Sequence, residues 1–125
     1  MALASRILVL HHNVLRGELS GRMGLAHWRR AQRRILESGA EVVVCGHDHQ
    51  EAAELLGDRV VVSTAGPLSV PARGSRPSGF NFLTIEPTAV QVTFFRWEAE
   101  KARYRASDTV AFARPARRDA TAQVH

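Results

Sequence analysis

Two short, continuous apolar runs, separated by a segment of helical periodicity, most strongly limit the folds open to this chain. The runs cover residues 7–10 and 42–45, and such runs are typical of strands covered on both faces of a sheet. Between them, residues 25–38 carry apolar side chains at helical spacing with arginines opposite, and Gly39 follows as a natural helix end. This order predicts a βαβ unit with parallel strands and a right-handed connection.

The remainder of the chain has the pattern of an antiparallel sheet. Residues 51–56 and 59–64 flank Gly57-Asp58 and predict a hairpin. Residues 80–86 and 89–97 alternate in polarity and predict a second antiparallel pair. We therefore expect an α/β fold, a mixed-sheet layered sandwich in which the βαβ unit precedes antiparallel strands. The remaining expectations are a loop at 66–78, a short strand near 110–112, a domain over 1–113 and a basic, disordered tail over 114–125.

The charge, the cysteine content and the length of the apolar runs limit the functional classes open to the chain, but they do not select one. The net charge is +5, and 16 of the 17 basic residues are Arg, which favours anionic partners such as phosphate esters and nucleic acid. Because the arginines are spread along the chain, solvated surfaces are the favoured interpretation. Cys45 is the only cysteine, so no internal disulfide can form, which fits a reducing cytoplasm. No apolar run approaches the roughly 20 residues of a membrane helix, so we expect no membrane partner.

Histidines follow both apolar runs at the point where each predicted strand ends. His11-His12 come after the first strand, and Gly46-His47-Asp48-His49 come after the second. In open α/β sheets ligands bind at this edge, and neutral imidazole is the commonest protein ligand of transition metals. The placement predicts a metal site assembled from two strand ends, with Asp48 positioned to orient a histidine ring. A polar turn with solvated histidines remains the alternative.

The motifs occur in an order that resembles a known family. ILVLHHNV, a helix, VVVCGHDHQ, VVVSTAGPLS and FNFLTIE together resemble the carboxy-terminal half of the calcineurin-like metallophosphoesterases, from about residue 7 to about residue 97. The resemblance implies hydrolysis of phosphomonoesters or phosphodiesters at a binuclear centre of Mn, Fe or Zn. It implies that His11 and His47 bind one metal and His49 the other, and it gives His12 a catalytic position, supporting a ligand or facing the substrate.

The sequence departs from the family in its amino-terminal motifs. Members carry D-x-H, G-D and G-N-H motifs before the histidine-pair strand, and this chain has only six residues there. Gly57-Asp58 comes after the histidine motifs, and we interpret it as a turn. Three neutral imidazoles cannot offset two dications, so we expect at most one bound metal and weak or absent hydrolysis by the chain alone. We expect a truncated gene, a late start codon or one part of a split protein.

Two other functional classes stay open. The chain could be a non-catalytic interaction module that docks on a separate amino-terminal half or on a second copy of itself. A basic nucleic-acid-binding fragment is the other class, and it is not favoured. Arg16 and Arg22 lie in the loop after His11-His12 and could meet a substrate phosphate, although solvated loop arginines are the favoured interpretation. Trp28 and Trp97 have the spacing of packing residues, and Cys45 is expected to be buried and inert.

Overall fold

The structure, a computed structural model, describes residues 5–15, 27–46, 51–68 and 78–114. Within these ranges the chain forms two β-sheets and one α-helix, together with a single 3-10 turn at Ala99–Lys101. None of the helical residues in these ranges forms an apolar segment long enough to cross a membrane. The elements are β1 Ile7–His12, α1 Trp28–Glu37, β2 Val42–Gly46, β3 Ala52–Leu56, β4 Val60–Thr64, β5 Gly79–Ile85, β6 Ala89–Glu98 and β7 Arg103–Ala113.

The first sheet contains the predicted βαβ unit. Its strand order is β1-β2-β4-β3. β1 pairs with β2 and β2 with β4 in parallel, whereas β3 is antiparallel to β4. The mixed sheet expected from the sequence is therefore confirmed. The carboxyl ends of the three parallel strands lie along one edge of this sheet, which we call the carboxyl edge.

Helix α1 covers one face of the first sheet. Ile35 is 4% exposed and packs in a cluster with Val43 and Val62, against which Leu8 and Leu36 also pack. The helix ends as the sequence predicts, because Ser38 Oγ donates to the Ile35 carbonyl and Gly39 takes a φ of +80°. The helix begins at Trp28, three residues after the predicted start, and residues 25–26 of the prediction lie outside the described ranges.

The second sheet covers the other face of the first. Its order is β5-β6-β7, all antiparallel. Val42 and Val61 from the first sheet pack with Val90, Val92 and Phe94 from β6. Because alternate residues of a strand point to opposite faces, β2, β3 and β4 supply side chains to both apolar layers, whereas β1 supplies Leu8 and Leu10 to the layer beneath the helix alone. The molecule is thus a layered sandwich of helix, mixed sheet and antiparallel sheet, as expected.

Strand β7 is much longer than the sequence predicts. It runs from Arg103 to Ala113 rather than over three residues near Val110. Only Val110 and Phe112 on this strand pack against the layer between the sheets, and most of its other side chains are exposed. The alternation that marks a half-buried strand is therefore present only at its carboxyl end, where the sequence shows it.

Candidate functional site at the carboxyl edge

The pairing register brings the two histidine motifs to the same edge of the first sheet. His12 pairs with Gly46 across β1 and β2, and Gly46 is directly followed by His47 in the sequence. On the other side of β2, Cys45 pairs with Thr64 at the end of β4. The ends of β1, β2 and β4 are therefore neighbours, and the His11-His12 pair lies beside the start of the loop that carries the second motif.

An irregularity in β1 sets the orientation of the first histidine pair. Val9 pairs with Val44, but His12 pairs with Gly46, so two residues of β1 stand opposite Cys45 alone. This is the two-against-one count of a β-bulge, a feature that re-aims side chains near sites. The His11 and His12 rings lie with centroids 4.9 Å apart and planes at 87°. His11 is exposed, whereas His12 is half-buried.

Asn13 ends β1 directly after the histidine pair. Its side chain is 5% exposed, and Oδ1 accepts a hydrogen bond of 2.8 Å from the Leu15 amide. This is the geometry of an Asx turn, which gives the backbone a local alternative to continuing the strand. Cys45 Sγ also lies 3.9 Å from the same oxygen and is buried, as expected. Asn13 thus fixes where the strand stops and where the histidines are presented.

A second asparagine joins the two sheets at the carboxyl edge. Asn81 on β5 donates from Nδ2 to Ser63 Oγ at 2.8 Å and to the Thr64 carbonyl at 2.7 Å. Ser63 and Thr64 are 2% and 0% exposed. Within the described part of the chain, Asn81 Oδ1 is buried without a hydrogen-bond partner. Asn81 belongs to none of the histidine or glycine motifs of the sequence, and the signal that marks it is a polar side chain between Phe80 and Phe82 in an apolar strand.

An ion pair lies directly after the second histidine motif of the sequence. Glu51 follows that motif by two residues, and Arg96 Nε lies 3.2 Å from both of its carboxylate oxygens, with Nη2 also donating to Oε1. The hydrogen bond from Arg96 to Glu51 raises the pKa of the guanidinium above its already high ordinary value. Arg96 Nη1 also donates to Ser107 Oγ at 2.8 Å. Glu51 is therefore tied to β6 and, through Ser107, to β7.

The structure describes only part of the predicted metal site. His11 and His12 lie together at the carboxyl edge, whereas His47, Asp48 and His49 are outside the described residues. The two loop arginines predicted to meet phosphate, Arg16 and Arg22, are also outside them. Among the residues that are described, no group of three or more His, Cys, Asp or Glu side chains could hold a metal ion. The predicted ligand set therefore stays a prediction.

The structure gives a packing contact for Trp97 and a cation–π contact for Trp28. Trp97 lies edge-to-face with Tyr104, with ring centroids 5.1 Å apart. Trp28 is half-buried at the start of α1, and the Arg29 guanidinium lies 4.9 Å from its ring centroid.

Comparison with known proteins identifies the fold through structure rather than sequence. No profile of a protein family matches the chain, and no curated protein matches it either. A solved Streptococcus pneumoniae protein described as a conserved uncharacterized, predicted phosphoesterase is similar, with a TM-score of 0.55 and 21% identity over 70% of this chain and 48% of its own.

Two solved structures of vacuolar protein sorting 29 (Vps29) are also similar to the chain. The Cryptosporidium parvum protein gives a TM-score of 0.57 and 16% identity over 85% of this chain and 52% of its own. The Chaetomium thermophilum protein, in complex with a RaPID-derived cyclic peptide, gives 0.59 and 13% over 92% and 60%. The chain thus spans about half the length of the proteins it matches. At these identities the likeness establishes architecture, and the chain has the calcineurin-like metallophosphoesterase fold over that half.

Proposed function

We propose that the chain contributes to a metal-dependent phosphoesterase that hydrolyses phosphomonoesters or phosphodiesters. One observation carries the proposal. The parallel register of His12 with Gly46 puts the histidine pair of β1 beside the start of the loop that contains His47 and His49. The fold of a predicted phosphoesterase supports the same class of reaction.

In this proposal His11, His47 and His49 hold the metal through neutral imidazole nitrogens. A bound Mn, Fe or Zn ion would act as a Lewis acid that polarises the phosphoryl oxygens. His12, whose ring contacts that of His11, supports the ligand or faces the substrate, and Asp48 orients a ring of its own loop. Arg16 and Arg22 contact the substrate phosphate.

The proposed site is one half of a binuclear centre. Imidazoles bring no negative charge, and two adjacent dications need carboxylate ligands to offset their repulsion. We therefore propose that the carboxylates come from a separate polypeptide segment, and that the isolated chain binds at most one ion. A chain of this kind hydrolyses phosphate esters weakly or not at all by itself. We place it in the cytoplasm, since its single cysteine is buried in the sheet.

Metal content of two histidine variants tests the proposed site. The purified chain is loaded with Mn or Zn, desalted and analysed by elemental mass spectrometry, and hydrolysis of bis(p-nitrophenyl) phosphate is measured in parallel. We expect His47→Ala to lose the bound ion, whereas His27→Ala, which removes an exposed histidine at the start of α1, should keep it. Equal metal content in both variants, or robust hydrolysis that survives His47→Ala, would contradict the proposed site.

A second function, docking on a separate protein, is favoured by the exposed face of β1. Val9 is 74% exposed and Ile7 is 51% exposed. Ile7 pairs with Val42, and Val9 pairs with Val44. The second sheet packs on both of these β2 residues, but it does not extend over their β1 partners. Within the described part of the chain, β1 is also an edge strand with β2 as its one neighbour. We propose that a separate polypeptide adds a strand beside β1 and covers Ile7 and Val9.

The oligomeric state of the chain separates this docking from self-association. We expect a monomer in sedimentation velocity, because the proposed occupant is a different polypeptide. A dimer that Val9→Lys converts to monomer would show that a second copy occupies β1 and would overturn the proposal. A dimer that both Val9→Lys and the control Gln91→Lys on the opposite sheet leave intact would form through another surface, and β1 would stay open to the separate polypeptide.

A further inference from the structure

The outward side of helix α1 is a continuous basic surface. Four arginines, which we call the arginine face, follow one another on the exposed side of the helix, and Glu37 is the one acidic residue in α1. At 100° per residue they span roughly 140° of the helix circumference over about 7.5 Å of its axis. The arginine face consists of Arg29, Arg30, Arg33 and Arg34.

These arginines form no ion pair within the described ranges, although the Arg29 guanidinium lies 4.9 Å from the centroid of the Trp28 ring. No carboxylate of those ranges forms an ion pair with any of the four. Arg29 and Arg30 lie in the first turn, where the helix dipole disfavours positive charge and no acidic residue offsets it. The two arginines in the first turn therefore weaken the helix slightly, whereas Arg34 in the last turn is favourably placed, and an anionic partner would offset the unfavourable pair.

The surface also has a concave end. An open cavity of about 400 Å³ is lined by His27, Trp28, Arg29, Arg30 and Arg33. The opposite end of α1 contacts the β3–β4 turn, where Arg59 Nη2 donates to the Leu36 carbonyl at 2.7 Å. Because the helix runs antiparallel to β1, the end with the cavity lies near the carboxyl edge. The arginine face therefore runs from the proposed metal site along the outside of the molecule.

We propose that the arginine face binds the phosphate backbone of double-stranded nucleic acid. Each strand of a duplex carries one negative charge for about every 3.4 Å of the axis, so the 7.5 Å length of the face meets about two to three phosphates of the strand that it contacts. Guanidinium groups donate two parallel hydrogen bonds to a phosphate, which an ammonium does not. A single strand is disfavoured because it binds by base stacking, and Trp28 is half-buried with Arg29 over its ring.

A membrane surface is the competing partner, and the packing of α1 argues against it. An interfacial helix inserts its apolar side into the lipid. Here that side is already used, because Ile35 is 4% exposed and Leu36 packs in the same cluster beneath the sheet. The exposed side of α1 carries the charged arginine face and offers no apolar side chains for insertion into lipid.

Binding is tested with the whole chain, a fluorescein-labelled 20-base-pair DNA duplex and EDTA, so that the result does not depend on the proposed metal site. The first variant is Arg29→Gln/Arg30→Gln/Arg33→Gln. The matched control, Lys101→Gln/Arg103→Gln/Arg105→Gln, removes the same number of charges from exposed side chains on the far hairpin. Circular dichroism verifies that both variants are folded.

We expect the helix variant to bind about tenfold more weakly or worse at about 100 mM salt, and the hairpin variant to change less than about twofold. The slope of log Kd against log salt should fall by about 2 to 3, since each phosphate contact contributes about 0.9. Replacement of the same three arginines by Lys should give an intermediate loss, because charge is kept and the paired hydrogen bonds are not.

Three results would overturn the proposal. One is absence of duplex binding by the unaltered chain, and another is an equal loss in both charge variants, which would mean that net charge alone governs binding. The third is binding to vesicles containing phosphatidylserine that depends on the arginine face while duplex binding does not.

Discussion

At the scale of single residues, two polar side chains link the sheets at opposite ends of their interface. Asn81 joins β5 to the end of β4 through Ser63 and Thr64. Arg114 follows β7 and pairs with Glu41, which precedes β2. Each side chain donates hydrogen bonds to buried or half-buried polar groups. Its removal would leave these acceptors without a donor in positions where water replaces the lost hydrogen bond poorly.

Asn81→Ala is expected to lower the free energy of unfolding by about 1–3 kcal/mol, because a buried hydroxyl and a buried carbonyl lose their donor. Urea denaturation followed by tryptophan fluorescence measures this. Gln91→Ala, on an exposed position of β6, is the control and should change stability by less than about 0.5 kcal/mol. A loss no larger than that of the control would mean that Asn81 does not join the sheets.

Arg114→Met is expected to destabilise the chain by about 2 kcal/mol, because Glu41 loses this ion pair in a position only 26% exposed. The variant also removes the 2.7 Å hydrogen bond from Arg114 to the Glu86 carbonyl. Thermal unfolding compares it with Arg105→Met, whose ion pair with Glu98 is at a side chain 69% exposed and contributes little. Similar melting temperatures for the two variants would contradict a structural role for Arg114.

At the scale of elements, the sequence predicts structure best where a pattern of buried residues adjoins residues typical of a turn. The β3–β4 hairpin is the clearest case. Gly57 and Asp58 take φ values of +58° and +60°, the paired left-handed residues of a type I′ turn, so the interpretation of this G-D as a turn is confirmed. The parallel strands β1 and β2 both follow from their continuous apolar runs, but the prediction of cover on both faces is confirmed for β2 alone. It is wrong for β1, because the second sheet does not cover β1, and Ile7 and Val9 are exposed.

What the sequence could not predict arises from contacts between distant residues. The irregularity in β1 depends on how Val9 and His12 pair with β2, and no local pattern marks it. Strand β7 gains its length from pairing with β6 rather than from apolar alternation. The carboxyl edge and the histidine pair at it were predictable because strand ends in a βαβ unit are neighbours, whereas Asn81 acts through partners in another sheet.

Gly57→Ala is expected to destabilise the hairpin by about 1–2 kcal/mol. A left-handed backbone is unfavourable for a residue with a Cβ, and that Cβ would lie 2.7 Å from Leu36 Cδ2. Asp58→Gly, at the adjacent position with similar φ, should be neutral or slightly stabilising. Chemical denaturation of both variants checks the pair, and equal effects would argue against a positive-φ turn.

At the scale of the whole molecule, the two apolar layers share the first sheet, but the cover is uneven. Val62 is fully buried beneath α1, whereas Val9 on β1 is 74% exposed. The centre of the sheet therefore carries the stability of the chain, and β1 presents apolar surface that contributes little to it. This difference is what makes β1 available for the proposed docking.

Val62→Ala is expected to cost about 2 kcal/mol through lost burial and the cavity left behind, whereas Val9→Ala should change stability by less than about 0.5 kcal/mol. Equilibrium unfolding of the chain alone measures both. A large effect of Val9→Ala would show that this side chain is covered in the isolated chain, which is inconsistent with an open docking face.

The ion pairs Arg96–Glu51 and Arg114–Glu41 lie at opposite ends of the sandwich. Apolar contact between two pleated faces is non-directional and would by itself tolerate a range of crossing angles. Two charged contacts far from the centre resist rotation of one sheet over the other more strongly than a single contact would. The orientation of the strand ends relative to the second sheet thus depends on side chains at the periphery as well as on the interior.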